Sequence, residues 1–224
     1  MDQSIISEIK ENIGNPIIIS LAGSRAWGFN KSESNYDYSC VVENKNIKPG
    51  KKYFKQLNNN NIFYIPIESL YYLEGCSNIF FLQDMNNIIY SNSLILNFIQ
   101  KNKKNIMNMA PNYTYALAID SIDNDKNHGN EFQYRQIQFA EILKNFYYYG
   151  DFSKSLKLSD ETKNFCRELK DGKNILSESE LNQYLEILYT QSFRDYFSAF
   201  EPDEKLHQEF VKVLNEGGEL NGIT

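Results

Sequence analysis

The apolar residues of this chain follow two different patterns, and the change between them divides the sequence. Residues 3–13 carry isoleucines three or four positions apart, which predicts a short amphipathic helix that ends at Gly14 and Pro16. Mostly apolar short runs then predict three strands: Ile17–Ala22, Tyr36–Val42 and Ile62–Ile65. From Ile79 onward the spacing is helical, and the predicted helices are 79–84, 92–109, 112–122, 130–148, 159–171, 178–198 and 203–215. Strands therefore concentrate in the first third of the chain, which indicates an α+β protein with a helical C-terminal region.

The segments between the strands are mostly polar. Pro49 and Gly50 predict a turn, and the asparagine run Asn58–Asn61 predicts a loop. Residues Tyr53–Leu57 are too few to assign from the pattern alone. The last residues, 217–224, are expected to form a frayed tail.

Composition narrows the functional classes. The chain has 224 residues, enough for one full domain or for a catalytic domain with a helical appendage. Its net charge of −6 argues against a surface that binds nucleic acid as a whole, and the lysine clusters at 51–55 and 101–104 are interpreted as solvated surface charge.

The three cysteines show no CxxC spacing and only two histidines are present, so a structural zinc site is not expected. No apolar run approaches the roughly 18 residues that a membrane span requires. With an odd cysteine count and no signal peptide, we expect a soluble cytoplasmic protein.

The most informative segment is residues 21–42. The first apolar strand runs into Gly23 and Ser24, and Asp37 stands at the head of the second. A glycine allows backbone N–H groups to approach phosphate oxygens, and a carboxylate opposite it is a ligand that Mg²⁺ prefers. Side chains two apart on a strand share a face, so Asn35 and Asp37 would point to one site and Tyr36 into packing on the other side.

The run Gly23-Ser24-Arg25-Ala26-Trp27-Gly28, followed by Ser34-Asn35-Tyr36-Asp37, resembles the DNA polymerase β-like nucleotidyltransferase superfamily. It is most similar to the predicted nucleotidyltransferases of the RNA repair pathway, which carry Gly-Ser-Arg-Ala-Tyr-Gly and then Ser-Asp-Tyr-Asp; Trp27 replaces the usual tyrosine. The resemblance continues in 70–82 with its Gly75-Cys76-Ser77-Asn78 turn, in the strand-like 88–91, and in the helical stretches 134–150 and 156–173.

The resemblance implies a fold and an activity. The fold would be a nucleotidyltransferase domain over 1–110 with a small mixed, mostly antiparallel sheet, and a helical region over 111–216 that completes the cleft. The activity would be Mg²⁺-dependent (or Mn²⁺-dependent) transfer of a nucleotidyl group from an NTP to an RNA end or a protein hydroxyl. Gly23, Ser24 and Arg25 would bind the triphosphate with support from Arg135. Asp37, with Asn35 as a neutral ligand, would hold the metal.

Three departures from the family pattern qualify this activity. The first metal acid falls on Asn35, the third on Asn61, and a glutamate that usually follows the Gly-Asn-Pro-Asn turn falls on Phe81. An engineered Asp→Asn change at position 35 would not account for the other two, whereas gradual loss of the site accounts for all three. Loss of carboxylates predicts an inefficient enzyme or, alternatively, an inactive relative that binds a nucleotide, RNA or protein. Glu43 or Glu68 could supply a displaced carboxylate.

Each candidate residue also has a structural interpretation. Arg25 could form a surface ion pair at a helix start, and Arg135 could pair with Glu131 one helical turn away. Asp37 could be satisfied by N–H groups of the neighbouring turn. Trp27 and the aromatic run Phe146–Tyr149 are expected to pack in the core, and a base-stacking or partner-binding role is the alternative. His128 and His207 have no supporting constellation.

Overall fold

The computed structural model describes residues 3–30, 35–76, 87–126, 132–150 and 152–221. The elements are, in chain order, α1 (Gln3–Asn12), β1 (Asn15–Ala22), α2 (Gly23–Trp27), β2 (Tyr36–Glu43), β3 (Tyr53–Leu57), β4 (Asn60–Pro66), α3 (Leu73–Cys76), β5 (Ile88–Ser91), α4 (Ser93–Lys101), α5 (Pro111–Lys126), α6 (Gln133–Tyr149), α7 (Phe152–Ser155), α8 (Asp160–Lys170), α9 (Glu178–Leu185), α10 (Gln191–Ser198) and α11 (Glu204–Asn221). Short 3₁₀ helices lie at Ile67–Tyr71, Ile106–Met109 and Glu186–Tyr189.

The strands form one five-stranded sheet in the order β3-β4-β2-β1-β5. β2 and β4 are parallel, and the other three pairs are antiparallel. The predicted mixed, mostly antiparallel sheet of an α+β protein is therefore confirmed.

The β3–β4 hairpin differs from the sequence prediction. Leu57 pairs with Asn60, so the loop consists of Asn58 and Asn59 alone, and Asn58 adopts a left-handed backbone with φ of 51°. Asparagine tolerates this conformation, which a two-residue hairpin turn requires. Asn60 and Asn61, predicted to belong to the loop, are the first residues of β4. The short segment β3 is a strand because β4 supplies its hydrogen-bonding partner.

The two faces of the sheet carry separate hydrophobic clusters. On one face, Ile5 and Ile9 of α1 and Ile13 directly after it pack against apolar residues of β1, β2 and β4, including Cys40, and burial raises the pKa of the Cys40 thiol. On the other face, Val41 joins a larger cluster built with the helical region. The two-residue periodicity of a strand produces this separation.

The helical region returns to the sheet at its end. Phe210 of α11 stacks on Phe98 of α4 with ring centroids 5.3 Å apart, and the Asn92 side chain donates a hydrogen bond to the Gly217 carbonyl at 2.9 Å. Ile17 of β1 and Leu214 of α11 belong to the same buried cluster, so the two predicted regions share one core. α11 continues to Asn221, whereas a frayed tail was predicted from Gly217.

Two of the predicted helices are each divided into shorter elements, in both cases at polar residues. The helix predicted over 92–109 ends at Lys101, where the polar run 102–105 follows, and a 3₁₀ turn replaces its last part. The helix predicted over 178–198 is interrupted before Thr190, whose hydroxyl accepts a hydrogen bond from the Phe193 N–H. The helix predicted over 79–84 lies outside the described residues.

The aromatic run at the end of α6 serves packing at two of its positions. Phe146 stacks on Phe197, and Tyr147 stacks on Phe193, both of α10. Tyr148 and Tyr149 are exposed. Over the described ranges, no helix combines the length and the apolar character that crossing a bilayer demands.

Candidate functional site

The turn after β1 brings the backbone of Gly23 against the carboxylate of Asp37. Ala22, the last residue of β1, pairs with Asp37 on β2, and Gly23 has a φ of +62°. A Cβ atom added at Gly23 would overlap the Asp37 carboxylate, so only glycine fits both the backbone angle and the space. The structure thus places two of the predicted site residues, Gly23 and Asp37, in direct proximity.

Asn61 holds the Asp37 carboxylate from the other side. The parallel register sets Asp37 opposite Asn61, and the Asn61 side-chain amide donates a hydrogen bond to Asp37 Oδ1 at 2.8 Å. Backbone N–H groups of the neighbouring turn were expected from the sequence as the structural partners of Asp37. The described partner is the Asn61 amide instead. Asn35 lies immediately before β2 with an exposed side chain.

Ser24 is buried and contacts Lys170, a residue that was not among the site residues predicted from the sequence. Lys170, in the last turn of α8, donates a hydrogen bond from Nζ to Ser24 Oγ at 2.6 Å, and this ammonium lies 5.7 Å from the Tyr134 ring centroid. One turn earlier, Arg167 donates to the Gly28 carbonyl at 2.8 Å. The only sequence signal for the pair is its three-residue spacing on an amphipathic helix.

The Arg25 side chain contacts the ring of Tyr36. Its guanidinium carbon lies 4.0 Å from the centroid of the Tyr36 ring, a cation–π contact. Tyr36 and Asp37 are neighbours on a strand, so their side chains leave opposite faces, and the guanidinium stacks on Tyr36 rather than over Asp37. Tyr36 packs beside the Tyr38 ring, with centroids 6.2 Å apart, and remains 45% exposed, so its packing is at the surface. Trp27 packs against the larger core cluster, as expected.

Arg135 lies in a second pocket. Its Nε atom is 3.3 Å from Oδ2 of Asp125, a carboxylate that is nearly buried; the predicted partner Glu131 lies outside the described residues. The pocket has a volume of about 760 Å³, and its described lining includes Lys52 and Arg135 but neither Ser24 nor Asp37. The structure therefore does not group Arg135 with the Gly23–Ser24 turn.

The described residues do not fit a carboxylate metal site. Among them, no three or more histidine, cysteine, aspartate or glutamate side chains come together. Glu43 is six residues from Asp37 along β2, about 20 Å at the rise of a strand, and its Oε2 accepts a hydrogen bond from the Asn15 side chain at 3.0 Å. Glu68 follows β4 at the same end of the parallel strand pair, where burial and the Glu68 and Glu43 carboxylates raise the pKa of Tyr71. Neither glutamate supplies a displaced ligand beside Asp37.

His207, to which the sequence assigns no role, packs away from the contacts of Ser24 and Asp37. His207 Nε2 lies 3.1 Å from the Leu70 carbonyl and has a structural role between α11 and the sheet region. Phe81 and His128 are outside the described residues.

Comparisons of the chain with protein-family models, with curated proteins and with solved structures find no match in any of the three.

Proposed function

We propose that this protein is a nucleotidyltransferase-like nucleotide-binding module whose site holds phosphate groups without a catalytic metal. The hydrogen bond from Asn61 to Asp37 carries the proposal. The family resemblance of residues 23–37 supplies the reason to expect a nucleotide, and the amide at position 61 supplies the reason to expect that metal-dependent transfer is lost.

The Asn61 amide changes the electrostatics of the site. Two facing carboxylates repel one another and need a cation between them, whereas an amide and one carboxylate satisfy each other through a hydrogen bond. The arrangement of Asn61 and Asp37 is thus stable without a divalent ion. Phosphoryl chemistry in this class needs metal ions that neutralise charge and orient the reacting oxygens, and a single hydrogen-bonded carboxylate is a poor support for them.

Lys170 supplies positive charge where phosphate is expected. Its ammonium reaches the buried Ser24 hydroxyl, which is close to the Gly23 backbone. A lysine binds phosphate as a compact point charge with three donors, and a serine hydroxyl can donate beside it. The Gly23–Ser24 turn and Lys170 together are suited to a phosphate anion, and the hydrogen bond from the Asn61 amide partly offsets the charge of the neighbouring Asp37 carboxylate.

One observation favours the alternative of Mg²⁺-dependent transfer to an RNA end or a protein hydroxyl. The contact between Gly23 and Asp37 keeps the phosphate turn and one acid in close approach. This alternative requires that binding and label transfer from an NTP depend on Mg²⁺ or Mn²⁺, which separates it experimentally from the proposed function.

We expect Lys170→Met to weaken binding of ATP or another NTP, measured by isothermal titration in EDTA, by about 10-fold or more. Hydrogen bonds to charged groups contribute about 1.5–3 kcal/mol, which corresponds to that factor. Lys173→Met is the matched control, because Lys173 lies three residues further on, pairs with Asp171 and is mostly exposed. We expect it to change the affinity less than threefold, since an exposed ion pair contributes about 0–1 kcal/mol.

The same titrations decide between the two functions. NTP binding that is equal in EDTA and in Mg²⁺ supports the metal-independent module. Binding only with metal, together with transfer of labelled nucleotide by the unmodified chain, would refute it. No binding of any NTP under either condition would refute both functions.

A further inference from the structure

The pocket that contains Lys52 and Arg135 lies between the β3–β4 side of the sheet and the helices α5 and α6. Lys52 immediately precedes β3, Ile65 lies on β4, Leu117 on α5, and Arg135 and Phe139 on α6. Its volume of about 760 Å³ is in the range of small-molecule sites. None of these residues takes part in the described contacts that link Gly23, Ser24, Asp37, Asn61 and Lys170.

Two cations converge on this pocket. Lys52 Nζ lies 5.2 Å from the centroid of the Phe63 ring, so the ammonium is directed across β4. Desolvation beside the pocket walls and repulsion by Arg135 lower the pKa of Lys52 to about 8, although the residue as a whole is exposed to solvent. Two positive charges in one cavity repel each other, and a bound anion would reduce this repulsion.

Among the described residues that line the pocket, cations outnumber carboxylates. Asp125 on α5 pairs with Arg135 at 3.3 Å, and Glu74 on α3 lines the pocket. Lys51 lines it as well, so the described charges are three cations and two carboxylates. Arg135 keeps 40% of its side chain exposed, which leaves its planar donors accessible from the cavity.

Part of the remaining wall is apolar, beside the hydroxyl side chains of Ser69, Tyr72 and Ser121. Ile65, Leu117 and Phe139 contribute to the lining, and Phe139 also belongs to the buried core, which fixes its position. A pocket with an apolar wall and a few placed polar groups suits a ligand with an apolar body and a charged head.

We propose that this pocket is a second ligand site, separate from the Ser24 turn, that binds a small organic phosphate through Lys52 and Arg135 with its apolar or aromatic body against Ile65, Leu117 and Phe139. The head is assigned as a phosphate because a dianion matches two cations better than a monoanionic carboxylate does. This inference does not depend on the function proposed for the Ser24 turn.

Phenyl phosphate is the first probe, because it carries the dianionic head on a flat apolar ring. We expect it to bind the full chain in isothermal titration, with Lys52→Gln and Arg135→Gln each weakening the affinity about 10-fold. Lys55→Gln is the matched control: Lys55 is three residues from Lys52, but its Nζ donates to the Asn12 carbonyl at 2.9 Å on the α1 side of the sheet. Benzoate is expected to bind more weakly than phenyl phosphate, and inorganic phosphate more weakly as well.

Other outcomes overturn the proposal. No measurable heat with phenyl phosphate or AMP, or binding that Lys52→Gln leaves unchanged, removes the site. Loss of phenyl phosphate binding in Lys170→Met would show that the two pockets form one site. If Arg135→Gln unfolds because Asp125 loses its partner, Lys52→Gln and Lys55→Gln still decide the question. Failure of NTP binding at Ser24 leaves these readouts unaffected.

The pH dependence gives an independent check. Between pH 7 and pH 9, we expect the affinity of the unmodified chain for phenyl phosphate to fall by about 5- to 10-fold as Lys52 loses its proton in the free protein. Carboxylates and guanidinium groups ordinarily keep their charge between pH 7 and pH 9. Lys52→Arg cannot lose its proton there and should bind with little pH dependence. An equal fall in Lys52→Arg would show that Lys52 is not the titrating contact.

Discussion

Asn61→Asp should lower the free energy of unfolding by about 2–4 kcal/mol at pH 7 and low ionic strength. The substitution replaces the amide that donates to Asp37 Oδ1 at 2.8 Å with a second carboxylate. Two unit charges about 4 Å apart repel by about 4 kcal/mol at the effective dielectric of a partly buried site, and the favourable hydrogen bond is lost as well. Solvent screening and uptake of a proton by one carboxylate set the lower end of the range.

Two conditions should restore the lost stability of Asn61→Asp. On going from pH 7 to pH 5, one of the paired carboxylates, whose pKa is raised by its neighbour, takes up a proton and the repulsion declines. Millimolar Mg²⁺ or Mn²⁺ should also raise the melting temperature, because a divalent ion bound between the carboxylates stabilises only the folded state. Thermal unfolding at both pH values, with and without metal, measures both effects.

Asn60→Asp is the matched control for charge. Asn60 precedes Asn61 on β4 and pairs with Tyr36, so a carboxylate there leaves the opposite face from Asp37. We expect a change within about 0.5 kcal/mol and no response to metal. If Asn61→Asp behaves like Asn60→Asp, the contact between Asn61 and Asp37 does not govern the site, and the basis of the proposed function fails. Transfer of labelled nucleotide by Asn35→Asp/Asn61→Asp would identify the site as one that lost its metal acids.

The placement of Asn61 was predicted only in part from the sequence. Ungapped placement on the family pattern selected this residue as the third metal position, and the β2–β4 register puts it opposite Asp37. The asparagine run nevertheless predicted a loop, because four polar residues in succession lack the alternation of a strand. Tertiary pairing decided the outcome: Asn58 and Asn59 close the hairpin, and the next two asparagines are held by β2 and β3.

The residues that surround the Gly23–Ser24 turn were harder to predict. Lys170 is 146 positions from Ser24, and no local pattern indicates that the last turn of α8 meets α2. Arg135 was assigned to the nucleotide cleft by resemblance, but its described neighbours are Asp125 and the residues of the Lys52 pocket. Strand periodicity correctly separated Tyr36 from Asp37, yet it gave no reason to expect Arg25 on the Tyr36 ring. Local spacing specifies the face of an element, whereas contacts between distant elements depend on how helices pack.

Gly23→Ala should both destabilise the fold and abolish phosphate binding at the Ser24 turn. Its φ of +62° disfavours any L-residue with a Cβ atom, and the new methyl group would overlap the Asp37 carboxylate and approach its Cβ. We expect a loss of about 2–4 kcal/mol, of which backbone strain accounts for about 1–2 kcal/mol and displacement of Asp37 for the rest. Chemical denaturation measures the loss, and titration with ATP in EDTA measures the binding.

Gly28→Ala separates the two contributions, because Gly28 has a similar φ of +79° but no atoms within 4 Å of an added Cβ. It should lose about 1 kcal/mol from strain alone. Combining Gly23→Ala with Asp37→Ala removes the overlap with the carboxylate and leaves only the closer contact with the Cβ of residue 37, so the double variant should recover more than 1 kcal/mol relative to the sum of the two single changes. Gly23→Ala and Gly28→Ala could instead lose equal free energy of unfolding, with additive behaviour in the double variant. That result would mean that the contact between Asp37 and Gly23 does not limit the size of residue 23. The selection of glycine at position 23 would then follow from the turn alone, and Asp37 would play no part in it.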